Sequence, residues 1–355
     1  MRLFWFCLFL CCFLQTTAQE QDTSGFGDFN PNEFANYGDS ENAKRFCNQK
    51  IRFQSPAKLI SLGYEVQGPF SIESKWNQDQ GNTVLPVETS QIQMVHGLTL
   101  GANFPVISRN SLILNLGINH QESNFLFKDT PANAFQRNLQ LNGLRTTGVG
   151  FTVFKPLNEK HFLIITGNAD ANHNFSFRQK RYDFSKTLTY SGAALFGWKK
   201  GDHRMIGVGV TRTYRGGELL YVPVFLYNKT FNDKWGTEIL LPARAHIRRT
   251  FSPKSLLMAG YELIGNSYFV RNDQTGDNPL QRFEEMHLRR SEIKLRMVYE
   301  RSLKNFIWIS VQAGLRYNYK FDVSESLDTK SGDFLILNRI GNPFYCNVSV
   351  NLVSP

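Results

Sequence analysis

Residues 306–321 read FIWISVQAGLRYNYKF, and this stretch decides the fold because apolar and polar residues alternate strictly along it. The apolar set is Ile309, Val311, Ala313, Leu315, Tyr317, Tyr319 and Phe321, and the polar set is Ser310, Gln312, Gly314, Arg316, Asn318 and Lys320. Such alternation predicts a β-strand with one apolar and one polar face. Strands of soluble proteins usually end after about five or six residues, whereas this one is long enough to cross a bilayer, which takes roughly 9–11 residues.

The same pattern recurs along the chain and predicts further membrane-crossing strands. They cover residues 58–76, 89–104, 112–121, 139–154, 161–174, 187–198, 204–214, 218–231, 255–271, 287–301 and 344–353. The connections between them alternate between short turns and longer loops, which is the rule for outer-membrane barrels. We therefore predict an all-β protein, a transmembrane antiparallel β-barrel.

The segment 235–250, WGTEILLPARAHIRRT, leaves the number of strands open. Read as a single strand it makes the total odd, and Pro242 would remove a ladder hydrogen bond from its middle. A short hairpin or re-entrant piece that does not cross gives about twelve strands, which we prefer. A second partial strand gives about fourteen instead.

The N-terminus predicts export across a membrane. Arg2 precedes an apolar stretch over residues 3–14, and small residues follow at 16–18, as in a cleaved signal peptide covering residues 1–18. The apolar stretch is too short for a membrane-spanning helix. Residues 19–57 are polar and predict a flexible periplasmic lead-in, although their aromatic residues could instead dock into the barrel mouth. The barrel itself is expected over residues 58–355, in the bacterial outer membrane.

Composition and cysteine content agree with this prediction. The chain has 355 residues, a formal net charge of +10, 41% hydrophobic and 14% aromatic residues, which excludes a disordered protein. Without the leader, only Cys47 and Cys346 remain, which is too few for a disulfide framework. The first and last strands of a barrel meet, so these two cysteines could form a disulfide or stay as two thiols.

A family resemblance rests on four stretches: TTAQ at 16–19, PVFLYNKTFNDKWGTEILLPARA at 223–245, FSPKSLLMAGYEL at 251–263 and GNPFYCNVSVNLV at 341–353. Over residues 58–355 the chain resembles an uncharacterised outer-membrane β-barrel family of the Bacteroidota, a family with a domain of unknown function. The resemblance implies the fold and the compartment, and it brings no catalytic residues. The chain departs from the usual barrel C-terminus, because it ends in Ser354-Pro355 rather than in an aromatic residue.

Charged residues on the polar faces of the strands are the candidates for function, because these faces line the lumen. The candidate lumen-lining residues are Glu238, Arg244, His246, Arg248, Glu262, Arg290, Glu292, Lys294, Arg296, Glu300, Gln312, Arg316 and Lys320. Opposite charges on neighbouring strands can pair and fill a small barrel as a salt-bridged plug, which is the preferred interpretation. Alternatively, the basic residues could favour anionic solutes in a narrow passage.

Other function classes have weaker support. Basic residues are scattered and an export signal is present, so we expect no nucleic acid partner. None of the seven histidines is followed two places on by Ser, the pattern that a membrane-embedded lipid hydrolase would use. We expect no catalytic residue, cofactor or metal, and we predict a non-enzymatic structural or passage barrel. A lipid-acting enzyme or a subunit of an envelope assembly stays an alternative.

The expected partners are those of an outer-membrane barrel. They are outer-membrane lipid, lipopolysaccharide and the barrel assembly machinery, with the protein itself expected to be a monomer. Some basic residues of loops and turns could meet lipopolysaccharide, although ordinary solvated loop charge is the preferred interpretation. They are Arg178, Lys180, Arg181, Lys199 and Lys200.

Overall fold

The computed structural model describes residues 46–76, 87–131, 133–175, 184–215, 218–271, 285–304, 306–326 and 334–353. The chain divides into two units, Met1–Lys44 and Arg45–Pro355, and every described residue belongs to the second unit. The predicted signal peptide and the first part of the predicted lead-in therefore lie outside the described residues.

One antiparallel sheet contains all the strands. The elements are β1 (Lys58–Gln67), β2 (Phe70–Trp76), β3 (Glu88–Arg109), β4 (Leu112–Phe127), the helix α1 (Ala134–Asn142), β5 (Leu144–Pro156), β6 (His161–His173), a 3₁₀ turn (Phe184–Thr187), β7 (Leu188–Lys200), β8 (Arg204–Arg215), β9 (Glu218–Thr230), β10 (Trp235–Leu241), β11 (Arg244–Ser252), β12 (Ser255–Arg271), β13 (Glu285–Lys304), β14 (Ile307–Ser324), β15 (Ile336–Ile340) and β16 (Phe344–Val353).

The sheet closes on itself into a barrel. β1 pairs with β16, and Tyr64 lies opposite Val348. β2 continues β1 beyond a short break and pairs with β15, which precedes β16 in the same way. β1 and β2 together cross the barrel wall once, and so do β15 and β16. The sixteen strands of the sheet therefore make fourteen crossings. The predicted all-β antiparallel barrel is confirmed.

The segment around Pro242 accounts for the strand number. It forms the hairpin of β10 and β11, whose strands pair with β9 and β12 as members of the barrel wall. Pro242 lies in the two-residue tip of this hairpin, where its missing N–H removes no ladder bond. The alternative of fourteen strands is therefore correct, and the preferred twelve was wrong.

The two ends of the barrel differ. At one end, here called the turn end, β1 begins and β16 finishes, and short turns join β3 to β4, β5 to β6, β7 to β8, β9 to β10, β11 to β12 and β13 to β14. The opposite end, here called the loop end, carries α1 and the longer connections. Short turns on one side and long loops on the other are typical of outer-membrane barrels.

The alternation along β14 separates an outer from an inner face, as predicted from residues 306–321. Ala313, Tyr317 and Tyr319 are exposed, whereas Ser310 and Arg316 are buried. Large apolar side chains are also exposed on many other strands, including Leu62, Leu98 and Phe151. A closed barrel with apolar residues outside and polar residues inside matches a bilayer rather than water.

Two residues at the end of this stretch are exceptions. Phe321 was predicted on the outer face and lies inside, and Lys320 was predicted on the inner face and takes the outer phase. The β14 register shifts beside Ser291 and Glu292 of β13, so one extra residue enters β14 at this point. A bulge of one residue moves every later side chain to the opposite face. Phe321 is only 1% exposed and packs against Phe135 of α1, with the ring centroids 6.3 Å apart.

The helix α1 corrects two boundaries of the sequence analysis. Residues 139–142 were predicted as strand and are helical, and residues 122–127 were predicted as loop and belong to β4. The Asn133 side chain caps the helix by accepting from the N–H groups of Phe135 and Gln136. Gly143 ends it with a φ of 63°, a conformation that favours glycine. No described helix is long and apolar enough to span the membrane.

An apolar core fills the barrel interior at the loop end. Phe135 and Leu139 of α1 are fully buried among side chains from strands on all sides, including Ile72, Phe125 and Leu288. At this level β12 also meets β6 directly, since Phe269 lies opposite His173. The described residues thus close the loop end with a packed interior.

Candidate functional site

A group of paired charges lies inside the barrel between its two ends. It consists of Glu65, Arg290, Glu292, Lys294 and Arg316, here called the charged cluster, and all five residues are buried. Arg316 bridges the carboxylates of Glu65 and Glu292 through its two terminal nitrogens. Lys294 Nζ lies 3.2 Å from Glu65 Oε2, and Arg290 Nη2 lies 3.0 Å from Glu292 Oε2. Each charge therefore has an opposite charge beside it.

Strand pairing brings these residues together. Lys294 of β13 lies directly opposite Arg316 of β14, and like charges in such a position repel each other. Glu65 comes from β1, which is separated from β14 only by β16. Its carboxylate reaches across β16 and removes this repulsion, so closure of the barrel completes the cluster.

Tyr345 of β16 forms the floor on which two of the cations rest. Lys294 Nζ lies 5.3 Å and Arg316 Cζ lies 5.1 Å from the centre of the Tyr345 ring. Both distances are within the range of a cation–π contact. The Tyr345 hydroxyl accepts a hydrogen bond of 2.6 Å from Gln312 Nε2, so the ring is fixed in place.

A second group of pairs extends the cluster toward β11 and β12. Arg296 Nη1 lies 2.6 Å from Glu262 Oε2, and Arg296 Nε donates to His246 Nε2 at 3.1 Å. His246 was the best sequence candidate for a titrating lumen residue. In the structure it is buried and acts as a hydrogen-bond acceptor for an arginine.

Two further ion pairs lie near the turn end. Arg248 Nη1 is 3.0 Å from Glu238 Oε1, and Lys58 Nζ is 2.6 Å from Glu300 Oε1. Arg248 and Glu300 are each 1% exposed. Gly236 makes room for Arg248, because a Cβ at this glycine would lie 2.5 Å from Arg248 Nη2.

The remaining predicted lumen residues lie away from these pairs. Arg244 is exposed and begins β11 beside the hairpin tip, so it is not part of the buried charge network. Lys320 comes after the bulge in β14 and lies opposite Ser291, so it takes the outer phase rather than the predicted lumen phase. It is half-buried, with Nζ 5.7 Å from the ring centre of Phe334. Twelve of the thirteen predicted residues are thus buried or half-buried, and Arg244 is the exposed one.

Residues 46–57 form a strap across the interior at the turn end. Here they are called the N-terminal strap. Cys47 and Ile51 are buried in an apolar cluster with Phe154 and Phe162. Backbone hydrogen bonds join the strap to the short turns, from Cys47 N to Asn158 O at 3.1 Å and from Arg52 N to Asp202 O at 2.8 Å.

Charged side chains of the wall hold the strap in place. Lys199 Nζ donates to Lys50 O at 2.7 Å and to Asn48 O at 2.9 Å. Arg248 Nη2 donates to Arg52 O at 3.3 Å, and Ser55 Oγ donates to Glu300 Oε2 at 2.6 Å. The ion pairs of the turn end are therefore also the anchors of the strap.

Sequence reasoning missed three of these residues. Lys199 was predicted as a solvated turn residue that could meet lipopolysaccharide, but it is buried and binds the strap, because it lies on the inward phase of β7. Arg178, Lys180 and Arg181 of the same prediction lie outside the described residues. Glu65 and Tyr345 were not singled out. Glu65 lies on the inward face of the first strand, and Tyr345 lies on the inward face of the last. Because the first and last strands of a barrel meet, the charge of Glu65 could have been matched to charges near the end of the chain.

Cys47 and Cys346 are both described, and no disulfide joins them. Tyr345 and Asn347 of β16 point inward, so Cys346 between them lies on the outward face, as Phe344 does. Cys47 lies in the strap inside the barrel. Burial raises the pKa of the Cys47 thiol. Among the described residues, no three His, Cys, Asp or Glu side chains form a group that could hold a metal ion.

A closed barrel with an apolar outer face and a charged interior places the protein in the class of outer-membrane-type β-barrels. A family comparison matches a domain of unknown function, DUF6268, over residues 58–330, and the chain belongs to this family. No curated protein matches the chain.

Solved structures of barrels resemble the chain in fold. A FadL homologue of Pseudomonas aeruginosa is 9% identical with a TM-score of 0.38, over 85% of this chain and 93% of that one. An outer-membrane channel of Pseudomonas putida F1 is 11% identical with a TM-score of 0.38, over 85% and 98%. The toluene transporter TodX of P. putida is 8% identical with a TM-score of 0.33, over 84% and 91%.

Proposed function

We propose that the protein is a non-enzymatic barrel of the bacterial outer membrane that stays closed at rest. Small solutes pass when the N-terminal strap leaves the turn end of the lumen and the apolar core at the loop end also moves aside. The observation that carries this proposal is the polar attachment of the strap. Water can replace hydrogen bonds to Lys199, Arg248 and Glu300, so the strap can detach without unfolding the wall. The proposal includes export by a signal peptide over residues 1–18 and an origin in the Bacteroidota.

The charged cluster supports a structural rather than a selective role for most of the predicted residues. Glu65 and Glu292 neutralise two of the three cations of the cluster, and Glu262 neutralises Arg296. An anion-selective pore needs rings of charge that a passing solute can reach. Paired and buried charges do not provide this, so we propose no strong preference for anions.

Conductance in a planar bilayer tests the proposal. The refolded full chain should show rare or no openings, and Lys199→Met should raise the open fraction because the strap loses its main polar anchor. The matched control is Lys200→Met, since Lys200 is the exposed neighbour on the outward phase of the same strand. Equal behaviour of Lys199→Met and the unmodified protein, with folded barrels in both samples, would refute the gating role of the strap.

A further inference from the structure

The inner wall from β1 to β6 carries a cavity of about 340 Å³ with several polar side chains in its lining. It lies on the inner face of β1 and β3 to β6, and its inward polar side chains are Lys58, Ser61, Asn103, Asn119, Thr152 and Asn168. The volume is at the lower end of the range of small-molecule sites, which is about 300–1,000 Å³.

Glycines on the inner face form the floor of the cavity. A Cβ at Gly150 would lie 2.1 Å from Asn168 Oδ1, so this amide lies flat on the backbone of β5. At Gly148 a Cβ would lie 1.9 Å from Asp170 Oδ1. Side chains at these two positions would displace the amide and the carboxylate, and the glycines therefore keep polar groups at the cavity surface.

The amide groups of the cavity keep unused hydrogen-bonding capacity. Within the described part of the chain, the side chains of Asn103, Thr152 and Asn168 make no hydrogen bond to protein, although they point inward. Asn119 uses one donor, from Nδ2 to Asp170 Oδ1 at 3.3 Å. An amide both donates and accepts, as a hydroxyl group does.

The charge of the cavity is low. Lys58 is the cation in its lining, and Glu300 Oε1 neutralises it at 2.6 Å. No carboxylate is part of the described lining itself, but the Asp170 carboxylate lies at its edge and accepts a hydrogen bond from Asn119. The aromatic ring of Phe151 is exposed on the outer face. The site therefore offers several amide and hydroxyl groups, and each charged group beside it already has a partner in the protein: Glu300 for Lys58 and Asn119 for Asp170.

We propose that this cavity binds a small, uncharged, hydroxyl-rich solute, such as a polyol. The part of this inference that says which solutes the barrel passes rests on the proposed function. As a binding site it stands independently, because binding requires access to the lumen and not passage through it. Amide groups replace the water around solute hydroxyls, whereas a charged solute would lose hydration at a site whose own charged groups, Lys58 and Asp170, already have partners in the protein.

Three open-chain six-carbon probes that differ at one end test the solute class: sorbitol is neutral, gluconate is an anion and glucamine is a cation. Saturation-transfer NMR on the refolded full chain should show binding of sorbitol and at least tenfold weaker binding of the two charged probes. Tighter binding of gluconate would overturn the proposal in favour of an anion site, and absence of sorbitol binding would overturn it altogether.

Two variants test the place of binding. Asn168→Leu removes an amide, and Gly101→Val fills the cavity from a position where the nearest atom to a Cβ is Ser61 Cβ at 3.9 Å. Both should weaken sorbitol binding at least tenfold. The control Gln121→Leu changes an amide on β4 that lies outside the cavity lining and should leave binding unchanged. Sorbitol binding that survives both cavity variants in folded protein would overturn the assignment.

The outcomes separate this inference from the proposed function. If the barrel binds sorbitol but never conducts, the binding site is supported and the proposed passage of solutes is refuted. Conductance without sorbitol binding would keep passage and refute the site.

Discussion

At the scale of single residues, Arg316 joins the two carboxylates of the charged cluster. It is fully buried and bridges Glu65 and Glu292, and its guanidinium lies over the ring of Tyr345. A buried ion pair adds little stability compared with a well-packed apolar alternative, but removal of one partner leaves a buried charge alone. Arg316 is therefore needed for stability as long as Glu65 and Glu292 are present.

Arg316→Met should lower the free energy of unfolding by about 3–5 kcal/mol, because two buried carboxylates lose a shared cation. Guanidinium unfolding in detergent, followed by tryptophan fluorescence, measures this change. Lys320→Met on the same strand is the control and should change stability by less than about 1 kcal/mol. A similar loss for both variants would contradict the central role of Arg316.

Cys47 reports whether the strap is in place. Burial in the strap raises the pKa of its thiol, so less of the reactive thiolate is present at a given pH than in an unfolded chain, whose cysteine pKa is about 8.5. Maleimide labelling of Cys47 in a Cys346→Ser background should be slow at pH 7.5 and should rise with pH. Lys199→Met should speed it, and equal rates with and without Lys199 would show that this lysine does not hold the strap.

At the scale of elements, the bulge in β14 and the helix α1 depend on each other. The bulge turns Phe321 inward, and α1 supplies Phe135 as its partner. Asn138 Nδ2 of α1 also donates to Arg271 O of β12 at 2.6 Å, and Gln136 Nε2 donates to Ser74 Oγ of β2 at 2.8 Å. The helix therefore connects β2, β12 and β14 at the loop end.

Phe321→Ala should destabilise the protein by about 3–5 kcal/mol, since it leaves a cavity in the apolar core. Tyr319→Ala, two residues earlier on the outer face, is the matched control and should have an effect of about 0.5 kcal/mol or less. The unfolding midpoints of the two variants show which of the two side chains lies in the core. A larger loss for Tyr319→Ala would contradict the bulge.

Asn133→Ala should weaken α1 by about 0.5–2 kcal/mol, because two N–H groups of the helix lose their acceptor. Asn133→Ser keeps an acceptor at the cap and should retain most of the stability. Proteolysis of the loop end in folded protein measures the local effect. Equal protection of both variants would show that the cap is not needed.

At the scale of the whole molecule, the barrel has a closed sheet and three interior zones. An apolar core lies at the loop end, paired charges and the polar cavity lie in the middle, and the strap lies at the turn end. A closed sheet has no free strand edges, and its backbone hydrogen bonds persist in detergent. The folded protein should therefore migrate differently on a gel before and after boiling. A constant mobility, with recovery in the soluble fraction, would contradict the barrel.

The sequence by itself determined the class of fold and the division into faces. The alternation of residues 306–321 predicted an apolar outside and a polar inside, and it placed Arg316 inside correctly. The reason is that the two-residue period of a strand is a local property. The alternation did not predict Phe321, because a bulge depends on the register with β13.

Only the tertiary structure decided which charges meet and what fills the lumen. Glu65 and Arg316 are 251 residues apart in sequence, and they contact each other because the barrel closes between β1 and β16. The positions of the strap and of the inward helix likewise depend on contacts between distant segments. Periodicity shows which side of a strand a residue occupies, whereas the partner across the lumen is set by the number, register and closure of all the strands.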